Sequence, residues 1–599
     1  MSEATTNQAV TDAETDRRRW MILGVLCLSV FVIVIDGTIV NVALPTLVRE
    51  LGATTSQLQW VVDAYTLVFA GLLLAAGSLG DRFGRKGFLM VGMALFGLFS
   101  GLGALASSPG QLIAARGAMG IGAALIFPAT LAILVNVFRN PKERPKAIAL
   151  WAATSGLSVA LGPVTGGFLL EHFFWGSVLL VNVPIVIIAI VLIARIVPTS
   201  RDSTIQRFDL IGMVLSIVGI SLLVWAVIEG PANGWVSPKS LGAFAVAAIL
   251  LAAFIRVERS SSHPMLDVGV FGNARFTAGT VSVTIAFFAL FGFIFMVTQY
   301  FQFVRGYGTL SAGVHTVPFA LFTGIATPSS AKLAQRFGTK RIVAAGLGLM
   351  AIGLSGAGVL GTESPYIAVV LVMLFLGVGL GFVNAPATEA IMGSLPPEKA
   401  GIGSAVNDTT RELGGTLGVA IVGSLFSSVY ASSLVTGLNG LSIPAAALAA
   451  AKDSVGAAIA VAAKVGQTFG PAAAGAFKQA IDNAFMDGFR IASWTAAGVA
   501  LIGAALAYRF LPAHAEGTDV EGADFEGIRI DSAQIGVASS RASGSKGRPN
   551  SSPPEFELAV AGAISEIGHA RCGGTNSDRR RETARCRSEA MARSFDGSG

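Results

Sequence analysis

Apolar runs of about twenty residues recur along this chain between short polar turns, and each has the length of a bilayer-spanning helix. Fourteen runs begin near Met21, Leu58, Gly87, Leu112, Ala147, Ser177, Leu210, Leu241, Phe276, Ala312, Ile342, Tyr366, Thr410 and Phe489. Alternate turns are basic: Arg82, Arg85 and Lys86; Lys142, Arg144 and Lys146; Arg195, Arg201 and Arg207; Arg256 and Arg259; Arg336, Lys340 and Arg341. The positive-inside rule puts these turns in the cytoplasm, and an even number of spans brings both termini there. One stretch breaks the pattern. Between Tyr430 and Phe489 the chain is rich in Ala and Gly, and its apolar run Val455 to Val465 is short and flanked by Lys452, Asp453 and Lys464. Runs of that length lie on or near a surface more often than they span, so residues 431–488 are expected to form a helical external loop. Beyond Pro512 apolar periodicity fades into Gly, Ser, Pro and Arg, and residues 512–599 read as a disordered cytoplasmic tail.

An internal repeat organises these runs. Leu79-Gly80-Asp81-Arg82-Phe83-Gly84-Arg85-Lys86 aligns with Leu333-Ala334-Gln335-Arg336-Phe337-Gly338-Thr339-Lys340, and Pro128-Ala129-Thr130 aligns with Pro386-Ala387-Thr388 at almost the same offset. Matches in one order indicate duplicated halves, which in membrane proteins point to a transporter with its site between the repeats. The expected organisation is a tail (1–20), a six-helix bundle (21–197), two linking spans (198–258) and a second six-helix bundle (259–511).

Composition agrees with an all-α polytopic membrane protein. Mean hydropathy is +0.67 and charged residues make up 13%, against about 25% in soluble proteins. The 72 glycines suit closely packed membrane helices. Residues 1–16 are polar, Arg17 to Arg19 follow, and the first apolar run is too long for the core of a signal peptide. Cys27, Cys572 and Cys586 form neither a disulfide framework nor a metal-ligand cluster. Loop solvation and orientation account for the net charge of +6, so no nucleic-acid partner is implied. With no phosphate-binding loop, zinc-spacing cluster or nucleophile elbow, the sequence supports neither an enzyme nor an ATP-driven pump, and no cofactor is expected.

Asp36 poses the chemical problem, because it places a carboxylate inside the first span. An acid at such depth costs roughly 2.5 to 3.5 kcal/mol on insertion scales and by default serves protons, ions or cationic substrates. Arg116, about one turn into the fourth span, is the second such charge, and Gly117, Gly120 and Gly122 would let that span approach a neighbour. A guanidinium near Asp36 would stabilise its charge while burial opposes it, a balance suited to a switchable proton site. Gly80, Asp81, Arg82, Gly84, Arg85 and Lys86 form a tight turn whose charges can reach helix ends, as a latch closing the inward side. In the fifth span Ser158, Gly162 and Gly166 recur every four residues beside Pro163 and Gly167, making a smooth face with a break in its backbone bonding.

Asp36 within Thr-Ile-Val-Asn-Val-Ala-Leu-Pro, the Gly80 to Lys86 turn, Arg116 with its glycines, and Gly162 to Gly167 together resemble the fourteen-helix drug:proton antiporters of the major facilitator superfamily. The likeness runs from about Met21 to Leu511 and extends to Leu180 to Pro184, Gly230 to Trp235 and Asn407 to Gly415. The resemblance implies a major facilitator fold, Asp36 as the first-span acid of proton coupling, Asp63 as the second-span acid of multidrug members, and Gly162, Pro163, Gly166 and Gly167 as the antiport signature. It implies proton-driven efflux of lipophilic, in part cationic, drugs across the cytoplasmic membrane by a monomer. The partners are then small-molecule substrates, protons and the bilayer. A narrow exporter of a metabolite or self-made antibiotic, and a non-transporting receptor or scaffold, are the alternatives. Asn41, Tyr65, Gln299 and Gln302 are candidate cavity residues; Glu389, Asp408 and Glu412 are further acids whose part in coupling is open. Of the aromatics Tyr65, Phe69, Trp151, Phe287 and Tyr300, packing is the expected role.

Overall fold

Gly84 and Gly338, at matching positions of the two repeats, both have positive φ (111° and 88°), a conformation open to glycine, and each reverses the chain between two long helices. The duplicated turns are thus duplicated in geometry. The computed structural model describes residues 2–512 apart from 139, 141–142, 200–208, 262–267, 396–399 and 440–442; the side chains of residues 1–17 and the tail from residue 513 lie outside the described residues.

The first bundle contains α1 (Ser2–Leu51), α2 (Thr55–Phe83), α3 (Arg85–Ala104), α4 (Pro109–Val137), α5 (Arg144–His172) and α6 (Asn182–Ile196), the last preceded by one turn at Ser177–Leu180. Then come α7 (Leu210–Ile228) and α8 (Pro238–Ser260), which pack on each other. The second bundle contains α9 (Ala274–Gln299, continued by a π turn at Tyr300–Val304), α10 (Val317–Phe337, after a short helix Thr309–His315), α11 (Thr339–Ala357), α12 (Tyr366–Met392), α13 (Ala400–Gly437) and α14 (Pro471–Phe510). Among the described residues thirteen helices are long and apolar enough to cross a bilayer. With α2, 29 residues long and packed among them, the fourteen expected positions are filled. The chain is a multi-pass membrane protein.

Local sequence sets the helix starts. Thr54 and Gln57 form a capping box on α2, Ser108 caps α4 ahead of Pro109, Ser237 caps α8 ahead of Pro238, and Asn273 caps α9. Between Tyr430 and Phe489, α13 continues to Gly437 and α14 already begins at Pro471, so the helices reach well into the stretch expected as loop. The reason is packing: Phe485 meets Phe426 edge to face at 5.0 Å, and Phe477 and Ile481 are fully buried. What remains outside the helices forms Ala445–Asp453 and Val455–Phe469.

The helix pairings repeat. In the first bundle α1 packs on α5, α2 and α3 pack on α4, and α3 packs on α6. In the second, α9 packs on α13, α10 and α11 pack on α12, and α11 packs on α14. Matching glycines allow the closest crossings. A Cβ on Gly122 would lie 2.8 Å from the Gly92 carbonyl oxygen, and one on Gly346 would lie 2.7 Å from that of Gly379. Backbones come this close only where both residues are small.

Between the bundles, Gln59 Nε2 donates to the Val419 (3.1 Å) and Ala420 (3.0 Å) carbonyls, Gln302 Nε2 to Val42 O (2.9 Å), Thr309 Oγ1 to Gly167 O (3.2 Å) and Thr55 Oγ1 to Asp453 O (3.0 Å). The Thr66 and Thr416 hydroxyls meet at 2.9 Å nearer the middle of the helices. The first five bonds lie toward the end that carries the Leu51 to Thr55 turn. Replacing Gly122 with Leu should force α3 and α4 apart at a cost of about 1–3 kcal/mol. Gly156, where a Cβ would meet nothing within 4 Å, should accept Ala without loss. Thermal unfolding of the two variants in detergent checks this; equal melting temperatures would contradict the crossing.

Candidate functional site

Asp36 is fully buried and Arg116 is 1% exposed, and the two form an ion pair between Asp36 Oδ2 and Arg116 Nη1. The other carboxylate oxygen, Oδ1, accepts from Asn182 Nδ2 at 2.8 Å. Asn182 also donates to Ser100 Oγ (3.1 Å), and Ser100 Oγ donates to Leu179 O (2.8 Å). Arg116 Nε donates to Val61 O at 3.0 Å, and its guanidinium lies 4.4 Å from the Tyr65 ring centroid. The Tyr65 hydroxyl in turn donates to Ile33 O at 3.3 Å. Side chains from α1, α2, α3, α4 and α6 thus converge on one carboxylate. A buried charge is tolerated only when paired and hydrogen-bonded, and both oxygens of Asp36 are so engaged.

Glycines bring these groups together. A Cβ on Gly120 would lie 2.6 Å from Tyr65 O, so α4 packs directly on the α2 backbone and carries Arg116 to the Val61 carbonyl. On α5, Gly162 packs on Thr38 and Ile39, and a Cβ on Gly166 would lie 2.7 Å from Ile39 Cγ1. Gly167 faces the second bundle, where its Cβ would lie 2.6 Å from Leu310 Cα, and Gly313 packs on the Pro163 carbonyl. The Gly162 to Gly167 stretch is therefore held between α1 and the Thr309–His315 helix.

A small chamber of about 30 Å³ lies between the bundles, walled by α1, α5, α9, α10 and α12 and displaced toward the Leu51–Thr55 end. Thr38, Asn41, Pro163, Phe293, Thr298 and Met373 are among its lining residues. Of the four candidate cavity residues, Asn41 lines it. Tyr65 packs instead over Arg116, Gln299 Nε2 bonds to Phe295 O in its own helix at 2.9 Å, and Gln302 reaches Val42 across the bundles. Phe69, Trp151 and Tyr300 are buried in the core, and Phe287 lies under Arg411 at 5.4 Å. Asp36 shares α1 with Thr38 and Asn41 but points from another face, into the first bundle.

Asp63 is fully buried, and neither of its carboxylate oxygens accepts a hydrogen bond. It stands apart from the Asp36 pair, on the face of α2 that carries Gln59 and Thr66 toward α13. At the turn after α2, Lys86 Nζ donates to Ala194 O (2.9 Å) at the C-terminal end of α6, a favourable place for a cation, and Arg82 lies 5.3 Å from the Phe83 ring. The Asp81 side chain lies outside the described residues. Glu389 pairs with Arg275 (2.9 Å) and Asp408 with Arg411 (3.9 Å). Among the described residues no group of acids, His and Cys is arranged to hold a metal ion.

Sequence reading left Asn182 and Ser100 without a role. Asn182 carried a signal, an amide inside the apolar run Leu180-Val181-Asn182-Val183-Pro184. Ser100 carried none, being one hydroxyl among many on its helix.

The Major Facilitator Superfamily profile matches residues 26–419, which takes in the ion pair, the turn after α2 and the α5 glycines. The chain belongs to the major facilitator superfamily. This superfamily member is 38% identical over 453 residues to the multidrug efflux pump LfrA of Mycolicibacterium smegmatis, covering 75% of this chain and 88% of that one. It is 37% identical over 460 residues to the methyl viologen resistance protein SmvA of Salmonella typhimurium, covering 76% and 91%. Its fold is similar to that of a bacterial homologue of the human lysosomal transporter Spinster, solved inward-facing and unoccupied, with a TM-score of 0.58 at 17% identity over 82% of this chain and 98% of that one. Family and fold make it a transporter. Arg116→Leu is expected to lower the melting temperature sharply by leaving Asp36 buried without its cation, and adding Asp36→Asn should recover part of the loss. A double-mutant cycle on thermal unfolding should show a coupling of about 1–3 kcal/mol; additive effects would contradict the pairing.

Proposed function

We propose that this protein exports lipophilic drugs from the cell by proton antiport, with Asp36 as the coupling acid, Arg116 as its counter-charge and the inter-bundle chamber as the cargo site. The observation that carries this reading is the division of labour on α1. One face holds a buried, paired carboxylate; another, two residues along, lines the chamber through Thr38 and Asn41. Cargo that presses on α1 and a proton that neutralises Asp36 act on the same helix. The drug-efflux relatives LfrA and SmvA support the cargo class, in that their names record multidrug efflux and methyl viologen resistance.

In this scheme the bundles 21–197 and 259–511 rock about the chamber, residues 198–258 link them, and one chain forms the transport unit. The Gly84 turn and both termini face the cytoplasm of a cytoplasmic-membrane protein, and the cross-bundle bonds at the Leu51–Thr55 end close the outer side. From outside, a proton reaches Asp36, loosens the pair with Arg116 and lets α1 release its cargo. Inside, loss of that proton restores the pair and the affinity for cargo. Entry of a proton supplies about 2.3 kcal/mol per 100 mV and roughly 1.4 kcal/mol per pH unit, enough to drive export uphill. Asp63, buried without a partner, is a second proton acceptor on the face toward α13. The Gly80 to Lys86 turn latches the inner side when the bundles close there, and the Gly162 to Gly167 face lets α1 and the second bundle slide along α5.

Everted vesicles energised by respiration test the scheme. Addition of several unrelated lipophilic dyes should release protons from the wild-type vesicle lumen, and Asp36→Asn should abolish the response. A response confined to one compound would restrict the cargo to a narrow class, and an unchanged response in Asp36→Asn would remove that residue from coupling.

A further inference from the structure

We propose that His315 is a proton-binding site, separate from Asp36, whose charge sets how firmly the two bundles close at the Leu51–Thr55 end. Its exposure to external pH rests on the reading of that end as the outer side. The ring lies in a box of aromatic side chains. The centroid of Tyr366 is 4.5 Å from that of His315, with the planes at 77°; Tyr307 is at 4.6 Å and Phe301 at 5.9 Å. His315 Nδ1 lies 2.6 Å from Ser311 O, and because a carbonyl oxygen only accepts, Nδ1 carries a hydrogen. Nε2 is therefore the nitrogen that gains or loses the second proton.

An imidazole changes charge between about pH 5 and 8. Adding the proton strengthens each contact of the box: the aromatic faces attract a cation, the bond to Ser311 O becomes charge-assisted, and His315 ends the helix Thr309–His315, where a cation is favoured. Arg305, 5.9 Å from the Tyr307 ring centroid, opposes the gain, but its guanidinium is already held by Thr362 O (3.1 Å) and Ser364 O (2.6 Å). Arg49 and Glu50 closing α1, Glu171 and His172 closing α5, and Glu363 ahead of α12 are exposed, and among the described residues none of them bonds to the ring.

The box is joined to both bundles. Phe301 belongs to the π turn Tyr300–Val304, a distortion common at functional sites, and the next residue, Gln302, bonds to Val42 O of α1. At the other end of the His315 helix, Thr309 bonds to Gly167 O of α5, and Gly313 packs on the Pro163 carbonyl. Tyr366 ties the box to the start of α12 by donating to His315 O at 3.0 Å. A firmer box thus holds the Gln302 and Thr309 bonds across the bundles. Closure is firmer in acid and weakens as the pH rises through the histidine range.

Spin labels on Leu105→Cys and Val359→Cys, both exposed and at this end of the first and second bundles, report closure of the full chain in phospholipid nanodiscs, with Cys27, Cys572 and Cys586 changed to Ala. Double electron–electron resonance at about pH 5.5 and about pH 8 gives the closed-to-open ratio, with Asp36→Asn present throughout to remove the response of the coupling acid. The ratio should be about three- to tenfold higher in acid. His315→Gln should abolish the difference, and the permanent cations His315→Lys and His315→Arg should keep the end closed at both pH values. No difference with His315 in place, a difference kept in His315→Gln, or an open end in both permanent cations would overturn the proposal. A response that follows His315 while Leu105→Cys reacts with an impermeant maleimide only in everted vesicles would support the proton site and overturn the outer assignment alone.

Discussion

The rest of this structure depends on keeping the Asp36 carboxylate charged in a place where charge is costly. Unpaired, it would be a burden of several kcal/mol; paired, it obliges four other helices to come to it. Arg116 arrives because Gly120 lets α4 touch the α2 backbone, Asn182 because α6 packs beside α3, and Tyr65 covers the guanidinium from α2. The first bundle is organised as the solvation shell of one residue. In the proposed scheme this shell holds while the charge persists and loosens when a proton removes it.

In that scheme the change at Asp36 becomes transport only if α1 passes it on. The chamber face of α1 lies beside Asp36, and the helix that α1 packs on, α5, presents glycines to it on one side and to the Thr309–His315 helix on the other. Small residues leave few side chains to unlock when such a contact shifts, so the α5 stretch is suited to a moving joint. The second bundle repeats the helix pairings and the glycine crossings of the first without repeating its ion pair: Gln335 stands where the first turn has Asp81, and Glu389 of α12 and Asp408 of α13 pair with Arg275 and Arg411. Duplication supplied the symmetry of the scaffold, while the fully buried ion pair among the described residues lies in one half.

Much of this was legible in the residues alone. Span number follows from apolar length, the repeat from the Arg-Phe-Gly turns, and Asp36 and Arg116 stand out as candidates from the cost of leaving a charge alone in lipid. What escaped the sequence depended on rotation about helix axes. Asn41 and Gln302 look equally suited to a cavity, yet one lines the chamber and the other ties the bundles together. Tyr65, a candidate both for packing and for a cavity wall, packs over a cation. The loop between α13 and α14 shortened because Phe477, Ile481 and Phe485 find partners in space that hydropathy along the chain does not register.

The central claim is that cargo and proton compete through Asp36, and linkage makes this measurable without transport. Calorimetric titration of the purified protein with a lipophilic dye, repeated in buffers of different ionisation enthalpy, counts the protons exchanged on binding. The account predicts release of up to about one proton per dye bound, varying with pH, and none in Asp36→Asn. Binding that exchanges no proton at any pH, or an exchange that survives in the variant, would contradict it.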